Sequence, residues 1–268
     1  MSDRLTQVVI VGARGRMGMQ LVRSVMVSDT MTLAGAVDRS GGPGLGQDAG
    51  ALVGLPAIGV NVTDNISPPR GGVVVDFSLP GATEANIRRC LEQRAPLVLG
   101  TTGISAETRG LIKEAAAEIP IVSAANFSVG ITLMVEFAAM AAKALGPDWE
   151  AELFEIHHRH KRDAPSGTAL RIGKAVAQAT GRDFDEALVT DRAESTDART
   201  RDEIGVSALR GGDSVGEHTL MFFGNGERLE LCHRATDRAI FARGALRAAR
   251  WVADRDAGLY GMKDVLDF

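Results

Sequence analysis

The sequence predicts an α/β protein: a doubly wound parallel sheet followed by a second α+β domain built on a mostly antiparallel or mixed sheet. Three observations lead there. Short, β-branched apolar runs alternate with helical patterns through the first half of the chain. A glycine-rich turn joins the first run to the first helix. After Ser128 the alternation stops, and strand-like runs follow one another with hairpin signals between them. The first half is therefore expected to be Rossmann-like.

Gln7 to Gly12 is almost continuously apolar, as a strand buried on both faces must be. Gly12-Ala13-Arg14-Gly15-Arg16-Met17-Gly18 then forms a GxxGxxG turn, and a helix is expected from about Arg16 to Ser28. Met31 to Val37 reads as the second strand, with Asp38 and Arg39 at its carboxyl end. Glycines let the backbone approach a pyrophosphate, and a helix N-terminus offers N–H groups and positive potential. Asp38 stands where a carboxylate accepts hydrogen bonds from an adenosine ribose, while Arg39 beside it suits a 2′-phosphate. A dinucleotide site is the expectation; a tight structural turn is the bland alternative.

Residues 40–64 are glycine-rich and weakly periodic, and are expected to be irregular. Val73 to Phe77, Pro96 to Gly100 and Pro120 to Ala124 read as further strands, with helices over Ala82 to Arg94 and from a Ser105 cap to Glu118. Gly100-Thr101-Thr102-Gly103 and Ala125-Asn126-Phe127-Ser128 thus fall at strand carboxyl ends, where open α/β sheets bind ligands. Ordinary turn chemistry would also use Gly and Thr there.

In the second half, Ile131 to Leu145 forms an Ala- and Met-rich helix. Ala151 to His157, Ile204 to Arg210, Glu217 to Phe223 and Glu227 to His233 read as antiparallel strands, the last two joined at Gly224-Asn225-Gly226. A single helix, Thr168 to Thr180, is expected among them, and Ala187 to Arg201 as a long loop. Arg238 to Asp254 is helical again. The expected division is residues 1–127 for dinucleotide binding, 128–238 for substrate binding and oligomerisation, and 239–268 returning to the first domain.

The densest chemistry lies at the end of the strand Ala151 to His157. Three of the five histidines, His157, His158 and His160, sit among Arg159, Lys161 and Arg162, followed by Pro165-Ser166-Gly167-Thr168. Imidazoles exchange protons near neutral pH. Lys161 is a point charge for a carboxylate. Ser166, Gly167 and Thr168 present a hydroxyl and backbone N–H groups at a helix start, suited to an anion. A small, doubly negative substrate that accepts hydride and a proton fits this mixture. A zinc site is disfavoured: His157 and His160 lie on opposite faces of a strand, and three basic residues repel a cation. A solvated basic loop is the remaining alternative.

Composition bounds the rest. At 268 residues and net charge −4, the chain lacks the basic face of a general nucleic-acid binder. No run reaches the roughly 18 apolar residues of a membrane span. Cys90 and Cys232 are too few for a disulfide framework and read as buried thiols in a cytoplasmic protein.

The motifs together resemble the 4-hydroxy-tetrahydrodipicolinate (dihydrodipicolinate) reductase family of lysine and diaminopimelate biosynthesis. The resemblance is carried by VGARGRMG at 11–18, GTTG at 100–103, AANFSVG at 124–130, EIHHRHKRDAPSGTAL at 155–170 and GEHT at 216–219, and spans essentially the whole chain. It implies reduction of a cyclic imine dicarboxylate with NADH or NADPH and no metal, in a homotetramer whose substrate domains join through their sheets, with a hinge near residues 127–130. By motif position it makes His157 the acid/base, Lys161 the proton donor, and His158, Gly167 and Thr168 substrate contacts. Cofactor contacts would be Gly12, Ala13, Arg14, Gly15, Arg16 and Met17 in the turn, Asp38 and Arg39 beyond the second strand, and Gly100, Thr101, Thr102, Ala124, Ala125, Asn126 and Phe127 at the later strand ends. Many members carry Gly at the position of Arg14 and Glu at that of Asp38. Two rivals are another NAD(P)-dependent dehydrogenase of amino-acid metabolism and a non-catalytic NAD(H)-binding redox sensor; neither needs the HHRHK and PSGT pair.

Overall fold

The structure, a computed structural model, describes residues 5–193 and 195–268. The chain divides into two compact units, one of residues 5–129 with 238–268 and one of residues 130–237.

In the first unit, β1 (Thr6–Val11) runs into α1 (Arg16–Met26) and β2 (Met31–Val37). A short α2 (Ala49–Leu52) and β3 (Val62–Thr63) follow. Then come β4 (Val73–Asp76), α3 (Pro80–Glu92), β5 (Leu97–Leu99), α4 (Ala106–Ala115) and β6 (Pro120–Ser123). The second unit runs α5 (Val129–Leu145), β7 (Glu150–His157), α6 (Gly167–Ala179), α7 (Phe184–Ala187), β8 (Leu188–Val189), β9 (Ile204–Arg210), β10 (Gly216–Gly224) and β11 (Glu227–Ala235). The chain ends in the first unit with α8 (Ala239–Val252), β12 (Gly258–Tyr260) and α9 (Met262–Val265).

The first sheet is parallel throughout, in the order β12-β6-β5-β4-β1-β2-β3. Its alternation explains the continuous apolar run in β1. Val8 and Ile10 pack with Leu21, Val22 and Val25 of α1 and with the small face of α8. Val9 and Val11 point the other way, into Ile87 and Cys90 of α3 and Ile112 of α4. Burying each such side chain contributes roughly 1.5–3 kcal/mol. The α8 seam is the tightest: Ala242, Ala245, Ala248 and Ala249 are fully buried, and a Cβ on Gly244 would lie 1.7 Å from the Phe127 carbonyl oxygen.

Some expectations are revised. Residues 40–64 hold α2 and β3, gathered around Asp48, whose carboxylate accepts N–H bonds from Gly50, Ala51, Ile58 and Gly59. The edge strand β12 is too short for its sequence pattern to reveal. Cys90 is buried as expected, but Cys232 in the second unit is exposed.

The second sheet has the order β11-β10-β7-β9-β8 and is mixed. β10 pairs antiparallel with β11, across the two-residue Asn225-Gly226 hairpin, and with β7. β7 and β9, however, are parallel, as are β8 and β9. All-antiparallel pairing of the four strands is thus corrected. The reason is the connection: residues 158–203 contain α6 and α7, a crossover long enough to bring the chain back in the same direction. The single expected helix is likewise joined by α7, and β8 interrupts the expected 187–201 loop, of which Glu194 lies outside the described residues.

On β7 the strand period does the positioning. Ala151, Leu153, Glu155 and His157 are its buried residues. The first two join Ile172 and Val176 of α6 and Met134, Val135 and Ala138 of α5 in the core. The last two carry the same face beyond the apolar core into polar surroundings.

Candidate active site

In the first unit the glycine turn has the geometry a dinucleotide requires. Gly12 has φ +79°, and a Cβ there would sit 3.0 Å from the Phe77 carbonyl oxygen. A Cβ on Gly18 would be 2.0 Å from the Gly12 oxygen, so this glycine lets α1 press against the turn. Gly15 caps α1 with no side-chain hydrogen bond, and the first turn of α1 carries no acid, which leaves its positive end for an anion. Ala13 is fully buried, with its N–H on the Val37 carbonyl, whereas Arg16 is exposed at the start of α1 and Met17 packs against the core. These residues fit a nicotinamide dinucleotide.

Asp38 has a structural task in this turn. Its Oδ2 accepts the Arg14 N–H at 2.9 Å and its Oδ1 the Arg39 N–H at 2.8 Å. The acid thereby ties the turn to the end of β2. The Arg14 side chain lies against Gly44, where a Cβ would be 2.8 Å from Nε, and that Nε is buried without a hydrogen-bond partner among the described residues.

The other strand ends supply small, tightly fitted pieces. Gly100 sits on the Phe77 ring, 2.3 Å from where a Cβ would be. Thr101 is buried, its hydroxyl 3.5 Å from the Ser78 carbonyl, while Thr102 is exposed. Asn126 Oδ1 accepts the Ser128 N–H at 2.8 Å, and the buried Phe127 ring lies 5.4 Å from that of Phe77. Ala124 packs on the core and Ala125 is exposed.

In the second unit, Glu155 is the hub. Its side chain is fully buried. Oε2 takes the Nδ1 of His157 and the Nη1 of Arg210, the latter at 2.8 Å. Oε1 takes Arg210 Nη2 at 2.7 Å and the Ser166 N–H at 2.9 Å. One carboxylate thus joins His157 to the start of α6. Ser166 caps that helix, accepting the Ala169 N–H at 3.1 Å, and its hydroxyl lies 3.1 Å from His218 Nε2. The His218 ring meets the His157 ring edge-on at 5.2 Å. Gly167 and Thr168 form the first turn of α6, which has no acidic side chain.

Electrostatics follow from this packing. Burial alone would raise Glu155, but Arg210, His157 and the Ser166 N–H together hold it below the ordinary carboxylate value. Burial pushes His157 down; the Glu155 contact opposes this, Lys161 and Arg210 reinforce it, and the net shift is downward. His218 is pushed down to about 4, mainly by burial, with His157 adding to it. At neutral pH the resting site is therefore an ionised Glu155 beside two neutral imidazoles.

Lys161 lies on the loop after β7 with Nζ at 2.8 and 2.9 Å from the Asp163 carboxylate. That contact keeps Asp163 below its ordinary value. His158 is half-buried; its N–H bonds to the Ser214 carbonyl at 2.8 Å and its Nδ1 accepts the His160 N–H at 3.2 Å. His160 is exposed. β7 ends at His157, so His160 lies in the turn that follows and not on the strand that the sequence reading assumed. No cluster of three His, Cys, Asp or Glu residues that could hold a metal occurs among the described residues.

Sequence reasoning quoted Glu155, Gly216 and His218 within its motifs but gave them no role, and it gave none to Arg210. Glu155 could have been found, because it sits two residues before His157 on one strand face. Arg210 is 55 residues from Glu155 in the chain, and only the parallel β7–β9 pairing brings it there.

Comparison with known proteins agrees with this fold. Residues 6–127 match the family model described as dihydrodipicolinate reductase, N-terminus, and residues 130–266 match the one described as its C-terminus. The chain belongs to the dihydrodipicolinate reductase family. A 4-hydroxy-tetrahydrodipicolinate reductase of an Anaeromyxobacter species is 49% identical over 264 residues, 98% of each chain. One from Pseudomonas fluorescens is 46% identical over 266 residues, 98% of this chain and 99% of its own. Among solved structures, a dipicolinate-bound dihydrodipicolinate reductase from Paenisporosarcina sp. TG-14 superposes with a TM-score of 0.76 at 25% identity, covering 97% of this chain and 99% of that one. Family membership bears out the recognition drawn from the motifs, and the chain is an NAD(P)H-dependent reductase.

Proposed function

We propose that this chain reduces 4-hydroxy-tetrahydrodipicolinate to tetrahydrodipicolinate in the route to diaminopimelate and lysine, using NADH, NADPH or both, as the names of its relatives suggest. The observation that carries the reading is the buried Glu155, which ties a histidine at a strand end to an anion-suited helix start. The dicarboxylate is held by Lys161, by His158 and by the α6 start at Ser166, Gly167 and Thr168. Charge and direction set its orientation. The bound nicotinamide supplies the hydride. His157 and Lys161 supply the proton. His157 is neutral in the resting site, and a dianion arriving beside it raises its pKa, so substrate binding itself loads the acid.

The first unit takes the dinucleotide over Gly12 to Met17, with Asp38 and Arg39 at the ribose and Gly100 to Thr102 and Ala124 to Phe127 at the later strand ends. Asp38 favours a free ribose and Arg39 a 2′-phosphate, so use of both cofactors is the expectation. The protein acts in the cytoplasm as a homotetramer that assembles through the second sheet. Supporting this, the sheet face turned away from α5 and α6 carries Phe154, Ile156, Leu209, Met221 and Phe223, all at least partly exposed.

The test is spectrophotometric: oxidation of NADH and of NADPH with freshly generated substrate. His157→Gln and Lys161→Ala should each lower turnover by roughly 10²-fold with folding intact. Near-normal turnover in both would remove these residues from the chemistry.

A further inference from the structure

We infer that Glu155 is a positioning residue for proton transfer: clamped by Arg210, its carboxylate holds His157 as the Nδ1–H tautomer and directs Nε2 toward the space kept open by Gly216. The inference rests on His157 being the proton-handling group.

The geometry leaves Glu155 little freedom. Four donors meet its two oxygens: two from Arg210, one from His157 and one from the Ser166 backbone. Arg210 is itself held, through Nη2 to the Asp163 carbonyl at 2.6 Å and Nη1 to the Leu209 carbonyl at 2.7 Å. A bidentate guanidinium fixes the carboxylate plane as well as its charge. An ionised carboxylate only accepts hydrogen bonds, so the neutral His157 must present its proton at Nδ1.

The other ring nitrogen is then the one available to substrate. A Cβ on Gly216 would stand 2.8 Å from His157 Nε2, so any side chain there would press on that atom. The His157 side chain keeps 10% of its surface exposed, while Glu155 beneath it keeps none. The remaining charged and titratable neighbours of the ring are Lys161, Arg210 and His218. Lys161 and Arg210 disfavour the imidazolium, so Glu155 is the group that stabilises it when the proton is taken up.

The pair also predicts what breaks it. In Glu155→Gln the new NH₂ group must occupy one of the two oxygen positions. At Oε1 it would face two donors, Arg210 Nη2 and the Ser166 N–H. At Oε2 it would face only Arg210 Nη1 and the His157 ring, which can accept if its proton moves to Nε2. The substitution should therefore switch His157 to the Nε2–H tautomer.

The experiment reads that tautomer directly. Long-range ¹H–¹⁵N spectra of ¹⁵N-histidine-labelled enzyme, with His157 assigned by its loss in His157→Gln, should show Nδ1–H in the unsubstituted protein and Nε2–H in Glu155→Gln. Turnover of Glu155→Gln should fall on the order of 10²-fold with KM changed by no more than about threefold, and Glu155→Asp should recover part of it. Removing the carboxylate also lowers the His157 pKa, so the fall of kcat with rising pH should move to lower pH. An Nε2–H tautomer in the unsubstituted protein overturns the inference, and so does a folded Glu155→Gln with unchanged turnover and pH profile. Should Glu155→Gln not fold, the unsubstituted tautomer together with the pH profile of Glu155→Asp decides. Full activity in His157→Gln would instead strike the assignment of His157, leaving the tautomer to report on the pair alone.

Discussion

At the scale of single residues, the balance between burial and one carboxylate governs His157. His157 is depressed in the free protein by burial, and only Glu155 opposes that. An acid must be protonated to act, so kcat/KM should fall as pH rises through a value below the ordinary imidazole pKa of roughly 6.5. The bound dianion raises that pKa, so the corresponding limb of kcat should lie at higher pH. Coincident limbs in the two profiles would contradict loading of the acid by substrate. Asp38 offers a second residue-scale expectation. Because it accepts the Arg14 and Arg39 N–H groups, Asp38→Ala should weaken both cofactors by loosening the turn, and NADH by more, through loss of the ribose acceptor. KM values for the two cofactors measure the difference, and equal losses would leave only the bracing role.

At the scale of elements, helices meet their neighbours through small residues whose necessity can be tested one at a time. Gly244 of α8 faces the Phe127 carbonyl so closely that Gly244→Ala must push the helix off the sheet. A destabilisation on the order of 3 kcal/mol is expected. Gly110 in α4 is the contrast, with nothing within 4 Å of its would-be Cβ. Gly110→Ala should stabilise by about 0.5–1 kcal/mol through helix propensity and lost unfolded-state freedom. Denaturant midpoints of the two variants should move in opposite directions. Much at this scale was legible: the strand–turn–helix unit ending at Asp38, the Ser105 and Ser166 caps and the Asn225-Gly226 hairpin all follow from local chemistry. Short pieces were not, because α2, α7, β8 and β12 contain too few residues to display a period.

At the scale of the whole molecule, buried titratable groups link folding to pH. His218 has a folded value of about 4 against roughly 6.5 when unfolded, so the unfolded chain binds a proton that the folded one refuses. Its contribution is intact above about 6.5 and is lost as pH falls toward 4, which amounts to roughly 3 kcal/mol. His157, His233 and Glu155 are also depressed and act in the same direction. Asp76 opposes them, because burial raises its carboxyl and favours the folded state at low pH. Thermal unfolding between pH 7 and 4 should therefore show falling stability, and His218→Asn should flatten the slope. Parallel slopes for the two proteins would remove His218 as a cause.

The fold class, the glycine turn with its acid and the gathering of His157, His158, Lys161 and the Ser166-Gly167-Thr168 helix start after one strand were determined by the sequence alone, because each depends on groups within about a dozen residues whose local geometry is set by strand period, helix caps and glycine. The tertiary structure alone decided that β7 and β9 run parallel, that Arg210 reaches Glu155, that Ser166 meets His218 and that Gly216 leaves room beside His157. Those contacts join residues roughly 50 or more positions apart. Their pairing is dictated by sheet register and by the requirement that a buried carboxylate have its hydrogen bonds met, neither of which leaves a periodic mark in the chain.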